Sequence, residues 1–185
     1  MKKALLILIA VALACSREST PPAKKPVRQR TRRAEQAPPA PSTDVGATMP
    51  AYQAVTLDGK PFDLAAERKH VVFLNVWATW CGPCRFEIPE LEKMHAKYAP
   101  RGFEVVGVSV DEEGAAAVKP FVKDQPISYP IVLDAPGKIA NVLQTTVLPT
   151  SVVIDRNGKI VWRRIGALMG PDATLDAAIE KALGK

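Results

Sequence analysis

The stretch "HVVFLNVWATWCGPCRFEIP" at residues 70–89 leaves a chain few ways to fold. Its first half is a nearly continuous apolar run rich in β-branched and aromatic residues. It therefore reads as a strand covered on both faces, not one that alternates between core and water. Just beyond it comes Cys81-Gly82-Pro83-Cys84. Apolar positions then return at three- and four-residue spacing, with Cys84, Ile88, Leu91, Met94 and Tyr98 marking the inner face of a helix over about 83–98. A buried strand that leads directly into a helix carrying two thiols at its mouth points to an α/β layer structure.

The chemistry follows from where that helix starts. Pro83 suits the first helical position, where a missing N–H costs nothing. Cys81 then faces unpaired backbone N–H groups and the positive end of the helix, which favours thiolate over thiol and lowers its pKa. Thiolate is the form that attacks disulfides. Cys84 lies one turn further on, on the core-facing side, placed to resolve a mixed disulfide that Cys81 has formed. A structural staple would close too small a loop to constrain the unfolded chain much, and it would be an odd use of a site flanked by Trp77 and Trp80. A closed zinc centre needs four ligands, and residues 51–185 add only His70 and His95, neither at ligand spacing from the pair. Peroxidase chemistry on a single activated cysteine, with Thr79 two residues before Cys81, remains a distant alternative. His70 and His95 read as incidental.

The formal net charge of +6 suggests a basic protein, but it is unevenly spread. Residues 51–185 hold sixteen basic and sixteen acidic side chains, so the basic excess lies in the first fifty residues. Nucleic-acid recognition requires a basic patch on the folded domain itself, and that class is excluded. Residues 1–14, "MKKALLILIAVALA", combine two lysines with an apolar run too short to span a bilayer, which is the pattern of a secretory signal. Ala12-Leu13-Ala14 fits a cleavage site that would release a soluble protein. Cys15 follows immediately, and Val-Ala-Leu-Ala-Cys resembles the lipobox of bacterial lipoproteins, with Ala12 in place of the usual leucine. Acylation of Cys15 and membrane anchoring on the extracytoplasmic side is the favoured expectation. Simple secretion is the alternative. Residues 15–50 carry seven prolines and no aromatic residue, so they are expected to form a disordered, partly stiff linker.

The remaining pattern defines a domain over 51–185. Residues 52–64 read as a hairpin around Asp58-Gly59. Strands are expected over 103–111, 129–134, 150–155 and 159–165, the last two joined through Asn157-Gly158. Helices are expected over 112–123, 138–143 and 171–183. This order predicts a mixed central sheet with helices on both faces.

"VVFLNVWATWCGPCRFEIPEL" together with "VLPT" at 147–150 resembles the thioredoxin superfamily, and within it the TlpA/ResA-like extracytoplasmic thiol–disulfide oxidoreductases. The resemblance implies a thioredoxin fold with an N-terminal β-hairpin and a central helix–strand insertion, which corresponds to residues 112–144. It implies that Leu148-Pro149-Thr150 is a cis-proline loop facing the redox pair. It makes Trp80, Gly82, Pro83, Leu148 and Pro149 the substrate-binding residues. Pro89 matches the helix-bending proline of thioredoxins. Asn75 stands where cytoplasmic thioredoxins carry a buried aspartate. Glu87, three residues after Cys84, matches the acid of ResA-like proteins, where a partly buried carboxylate takes the proton from Cys84. The alternative for Glu87 is a surface acid in a helix's first turns. Gly82-Pro83 is the thioredoxin dipeptide and favours a reductase, for instance in cytochrome c maturation. The implied partners are a disulfide-containing protein substrate and a membrane thiol-electron donor of the DsbD/CcdA type. The protein is expected to be a monomer, with the cysteine pair in place of any cofactor. A copper- or apoprotein-binding module of the same fold is the competing class.

Overall fold

The computed structural model describes residues 43–184. The expected signal over 1–14, Cys15 and the linker as far as residue 42 lie outside the described residues. In chain order the elements are β1 (Gln53–Thr56), β2 (Pro61–Asp63), β3 (Val71–Trp77), α1 (Gly82–Tyr98), β4 (Phe103–Ser109), α2 (Ala115–Asp124), β5 (Ile131–Leu133), α3 (Lys138–Val142), β6 (Thr150–Ile154), β7 (Ile160–Ile165) and α4 (Ala173–Leu183). The seven strands form one mixed sheet in the order β2-β1-β5-β4-β3-β6-β7. β3 runs parallel to β4, as β4 does to β5, whereas β3–β6, β6–β7, β1–β2 and β1–β5 are antiparallel.

Burial explains why β3 sits centrally: all seven of its residues are buried. Successive strand side chains point to opposite faces. Val72, Leu74 and Val76 join Val106, Val108, Val152, Ile139 of α3, and Tyr52 and Phe62 of the hairpin region. Val71 and Phe73 pack instead with Leu91, Met94 and Tyr98 of α1 and Leu175 and Ile179 of α4. The two sides of the sheet are thus covered by different helices, and each fully buried apolar side chain contributes roughly 1.5–3 kcal/mol. Val118 and Phe121 bring α2, the expected insertion, against Trp77, Ile88 and Ile131.

α1 continues unbroken through Pro89. Proline has no N–H to give to the carbonyl four residues back, and here that carbonyl belongs to Arg85. Gln125, at the end of α2, donates its side-chain amide to the Arg85 oxygen at 3.4 Å.

Two boundaries differ from expectation. Residues 43–50 are ordered against the domain and do not belong to the linker. Met49 N–H donates to the Gly158 carbonyl, Gly46 N–H to that of Ile160, and Ile160 N–H to that of Ala47. Thr43 and Met49 are buried, and the Arg163 guanidinium donates to the Thr43 carbonyl and hydroxyl and to the Leu143 carbonyl. The second helix begins at Ala115 and not at 112, because Gly114 adopts a left-handed φ of 55° and Gly114 N–H closes a turn onto the Asp111 carbonyl. Side chains rarely adopt that backbone geometry.

Candidate active site

β3 delivers the chain to the motif, and α1 opens on it. Cys81 is the N-cap residue of α1, and its Sγ accepts a hydrogen bond from the backbone N–H of Cys84 at 3.3 Å. Gly82 is therefore the first helical residue and Pro83 the second, one position later than the sequence suggests. Cys81 and Cys84 are joined in a disulfide with Cα atoms 5.3 Å apart. Cys81 is 6% exposed and Cys84 1%. The expected order holds, yet Cys81 is largely covered and does not stand outside. Both sulfurs belong to an apolar cluster with Trp77, Ile88, Val118 and Ile131, with Leu148 packed against it. Trp80 is 69% exposed. Trp77, by contrast, is buried with its ring 5.3 Å from that of Phe121, so only one of the two tryptophans shapes the surface.

The Leu148–Pro149 peptide is cis. The loop around it is held by its own side chains: Thr145 Oγ1 accepts from Val147 N–H at 3.2 Å and Thr150 Oγ1 donates to the Val147 carbonyl at 2.7 Å. The Pro149 carbonyl accepts from Gly166 N–H. Gly82 and Pro83 are exposed. A Cβ added at Gly82 would meet nothing within 4 Å, so the fold itself does not demand glycine there.

Glu87 is 0% exposed, which rules out the surface-acid alternative. Its Oε1 accepts from Asn75 Nδ2 at 2.7 Å and its Oε2 from Leu168 N–H at 2.9 Å. Burial raises its pKa to about 6, against the opposing pull of the Leu168 N–H, the Asn75 amide and the charge of Arg164. Asn75 also donates to Ser151 Oγ at 3.0 Å. Asn75, Ser151 and Leu168 were not read from sequence as supports of the carboxylate. Asn75 and Ser151 face one another in the β3–β6 register, which only the strand pairing reveals. His70 and His95 lie elsewhere: His70 is near Glu67, and His95 stacks edge-on against Tyr129. Among the described residues no cluster of three or more His, Cys, Asp or Glu side chains is placed to hold a metal ion.

The arrangement suits two-electron exchange, with a disulfide at a helix N-terminus, a buried carboxylate one turn behind it and a cis-proline loop packed against it. Residues 44–179 match the Redoxin family model. The chain is 37% identical over 122 residues to a thiol-disulfide oxidoreductase ResA of Bacillus cereus, covering 66% of this chain and 70% of that protein. To ResA of Bacillus subtilis (strain 168) it is 32% identical over 120 residues, with 65% and 66% covered. A Chlorobium tepidum crystal structure, assigned as a thiol:disulfide interchange protein DsbE, superimposes with a TM-score of 0.72 at 33% identity, covering 77% of this chain and all of that one. The chain belongs to the redoxin family and is a thiol–disulfide oxidoreductase of the ResA/DsbE type with Cys81–Cys84 as its cysteine pair.

Proposed function

We propose that the protein is an extracytoplasmic disulfide reductase, anchored to a membrane through an acylated Cys15. The observation that carries the reading is the Cys81 sulfur at the N-cap of α1, 3.3 Å from the Cys84 N–H, because that position stabilises a thiolate. In the dithiol form, Cys81 thiolate attacks a substrate disulfide and forms a mixed disulfide, and one substrate thiolate leaves. Glu87 accepts the Cys84 proton. Cys84 then attacks the Cys81 sulfur, which restores the Cys81–Cys84 disulfide and frees the second substrate thiolate. Two electrons pass to the substrate; Glu87 gives up the Cys84 proton to one substrate thiolate, and solvent, which took the Cys81 proton on ionisation, protonates the other. A membrane thiol-electron donor of the DsbD/CcdA type re-reduces the pair.

Trp80, Gly82, Pro83, Leu148 and Pro149 form the docking surface for the peptide around the substrate disulfide. The exposure of Trp80 and the packing of Leu148 beside the cysteines support this role. Substrates are protein disulfides. Apocytochrome c in cytochrome c maturation is the candidate that the resemblance implies. The extracytoplasmic address rests on the lipobox-like sequence ahead of Cys15.

The full chain should accelerate reduction of insulin by dithiothreitol, and Cys81→Ser should abolish that acceleration. Equal insulin reduction by the variant and the parent removes the reading. Cys15→Ala should move the protein from the membrane fraction to the soluble one, and an unchanged distribution rejects the anchor.

A further inference from the structure

The four residues between β3 and α1 carry the chain into the redox motif, and they are fastened by an acid from a different strand. Asp111 lies just past the end of β4 and is 1% exposed. Its carboxylate accepts from Thr79 N–H at 3.0 Å, from Thr79 Oγ1 at 2.6 Å and from Ser109 Oγ at 2.8 Å. A buried carboxylate is costly unless it is fully hydrogen-bonded, and these three donors supply what burial removes. Two of the three come from Thr79, so the acid holds that residue at both its backbone and its side chain. One turn of chain further, Cys81 N–H donates to the Ala78 carbonyl at 3.1 Å, and Cys81 Sγ caps α1. The position of Thr79 therefore sets the position of the sulfur two residues on.

We propose that Asp111 is a positioning residue for thiol–disulfide exchange, acting through Thr79 to aim Cys81 Sγ at the incoming disulfide. The proposal rests on exchange at Cys81, and not on the direction of electron flow or the cellular address. Attack on a disulfide needs the entering sulfur close to and aligned with the bond it breaks. Small misplacements of a reacting group cost large factors in rate without weakening substrate binding. Asp111 also sits immediately before the turn that opens α2, so it ties the inserted helix to the redox loop.

The test compares Thr79→Val, which keeps the shape and removes the hydroxyl donor, with Thr79→Ser, which restores the donor. The probe is reduction of insulin by dithiothreitol with the full chain, at a temperature well below each variant's thermal midpoint. Thr79→Val should lower kcat about tenfold, equivalent to about 1.4 kcal/mol in the barrier, with KM unchanged within twofold. Thr79→Ser should stay within about threefold of the parent. Asp111→Asn keeps one oxygen for the Thr79 N–H and should fall between them, whereas Asp111→Ala should lose at least as much as Thr79→Val. Since Asp111→Ala removes a buried group and is the variant at risk of not folding, the Thr79 pair decides. A folded Thr79→Val with the parent's kcat, a loss carried by KM alone, or a Thr79→Ser as slow as Thr79→Val each overturns the proposal. Equal rates for the parent and Cys81→Ser would remove the exchange reading itself and the proposal with it.

Discussion

The carboxylate of Glu87 accepts a 2.7 Å hydrogen bond from the side-chain amide of Asn75, and both residues are buried. An acid one helical turn behind the redox cysteines is thus held by a neutral donor, where a second acid would have repelled it. Burial raises its pKa to about 6, with the Leu168 N–H and the Asn75 amide limiting the rise. A group with that pKa changes state just below neutral pH, which is the range a proton acceptor for Cys84 requires.

The first expectation concerns the rate. Above about pH 6 Glu87 is a carboxylate able to take the Cys84 proton, and below it is already protonated. Exchange should therefore rise with pH through that value. Glu87→Gln should lose this limb and slow the reaction at pH 7 on the order of 10²-fold, the lower end of what general acid–base groups supply. Steady-state insulin reduction from about pH 5 to 8 measures it. A variant profile that superimposes on the parent's would exclude the carboxylate from the proton path.

Asn75→Asp sharpens the point. It sets a second carboxylate at hydrogen-bonding distance from Glu87, and like charges that close cannot both ionise without cost. The pair should titrate in two steps, the upper one above the parent's value of about 6. The activity limb should move to higher pH by at least one unit. An unmoved limb in the same assay would mean that Glu87 does not govern it.

Much of this site was legible before the structure, and what was not has a common cause. β3, α1 and the CxxC motif declare themselves through runs and periodicities within a few residues of one another. Three-residue spacing puts Glu87 on the same helix face as Cys84, but its role, like the cis-proline loop, comes from the resemblance, and its burial from the structure. The Asn75–Ser151 contact requires the β3–β6 register, and the hold of Asp111 on Thr79 requires β4 to lie beside β3. Both are contacts between residues more than thirty positions apart, and no local pattern carries them. The misplaced linker end has a similar origin. Residues 43–50 contain no aromatic or periodic apolar pattern, and their order comes from backbone pairing with the strand edge near Lys159.

That edge pairing predicts a truncation effect. A chain starting at residue 51 loses the burial of Met49 and Thr43, and it leaves the Arg163 guanidinium without two of its acceptors. Burying a methionine is worth roughly 1.5–3 kcal/mol, and unpairing a partly buried cation adds to the loss. Relative to a chain starting at 43, urea unfolding should show a deficit of about 3 kcal/mol or more. Equal midpoints would place these residues outside the folded unit.

At Gly82 the proposed docking role can be tested apart from folding. A Cβ there touches nothing within the chain, and Gly82 opens α1 with ordinary backbone geometry. Gly82→Ala should change stability by less than about 1 kcal/mol. Reduction of insulin should slow several-fold while exchange with a small dialkyl disulfide is preserved, because on the proposed docking surface only a protein substrate would extend as far as residue 82. A destabilised variant, or equal losses with both substrates, would count against the docking surface.

The raised pKa of Glu87 also carries a sign for stability. Its value is about 6 in the folded protein against 4.5 for the free group, so the folded state binds the proton more tightly. That preference is worth about 2 kcal/mol at 1.36 kcal/mol per unit. The contribution is fully present below about pH 4.5 and is lost as the pH rises through about 6. Asp63 and Asp172 work the other way. The Gln53 amide chiefly lowers the pKa of Asp63, and the Thr174 hydroxyl that of Asp172, so their stabilisation is present above 3.8 and fades as the pH falls further. The two windows do not overlap. Subtracting the Glu87→Gln curve from the parent's, in urea unfolding of the disulfide form from about pH 4 to 7, should leave a decline of about 2 kcal/mol with rising pH. Parallel curves across that window would show that Glu87 keeps an ordinary pKa, and the buried acid could then no longer be the group that takes the proton.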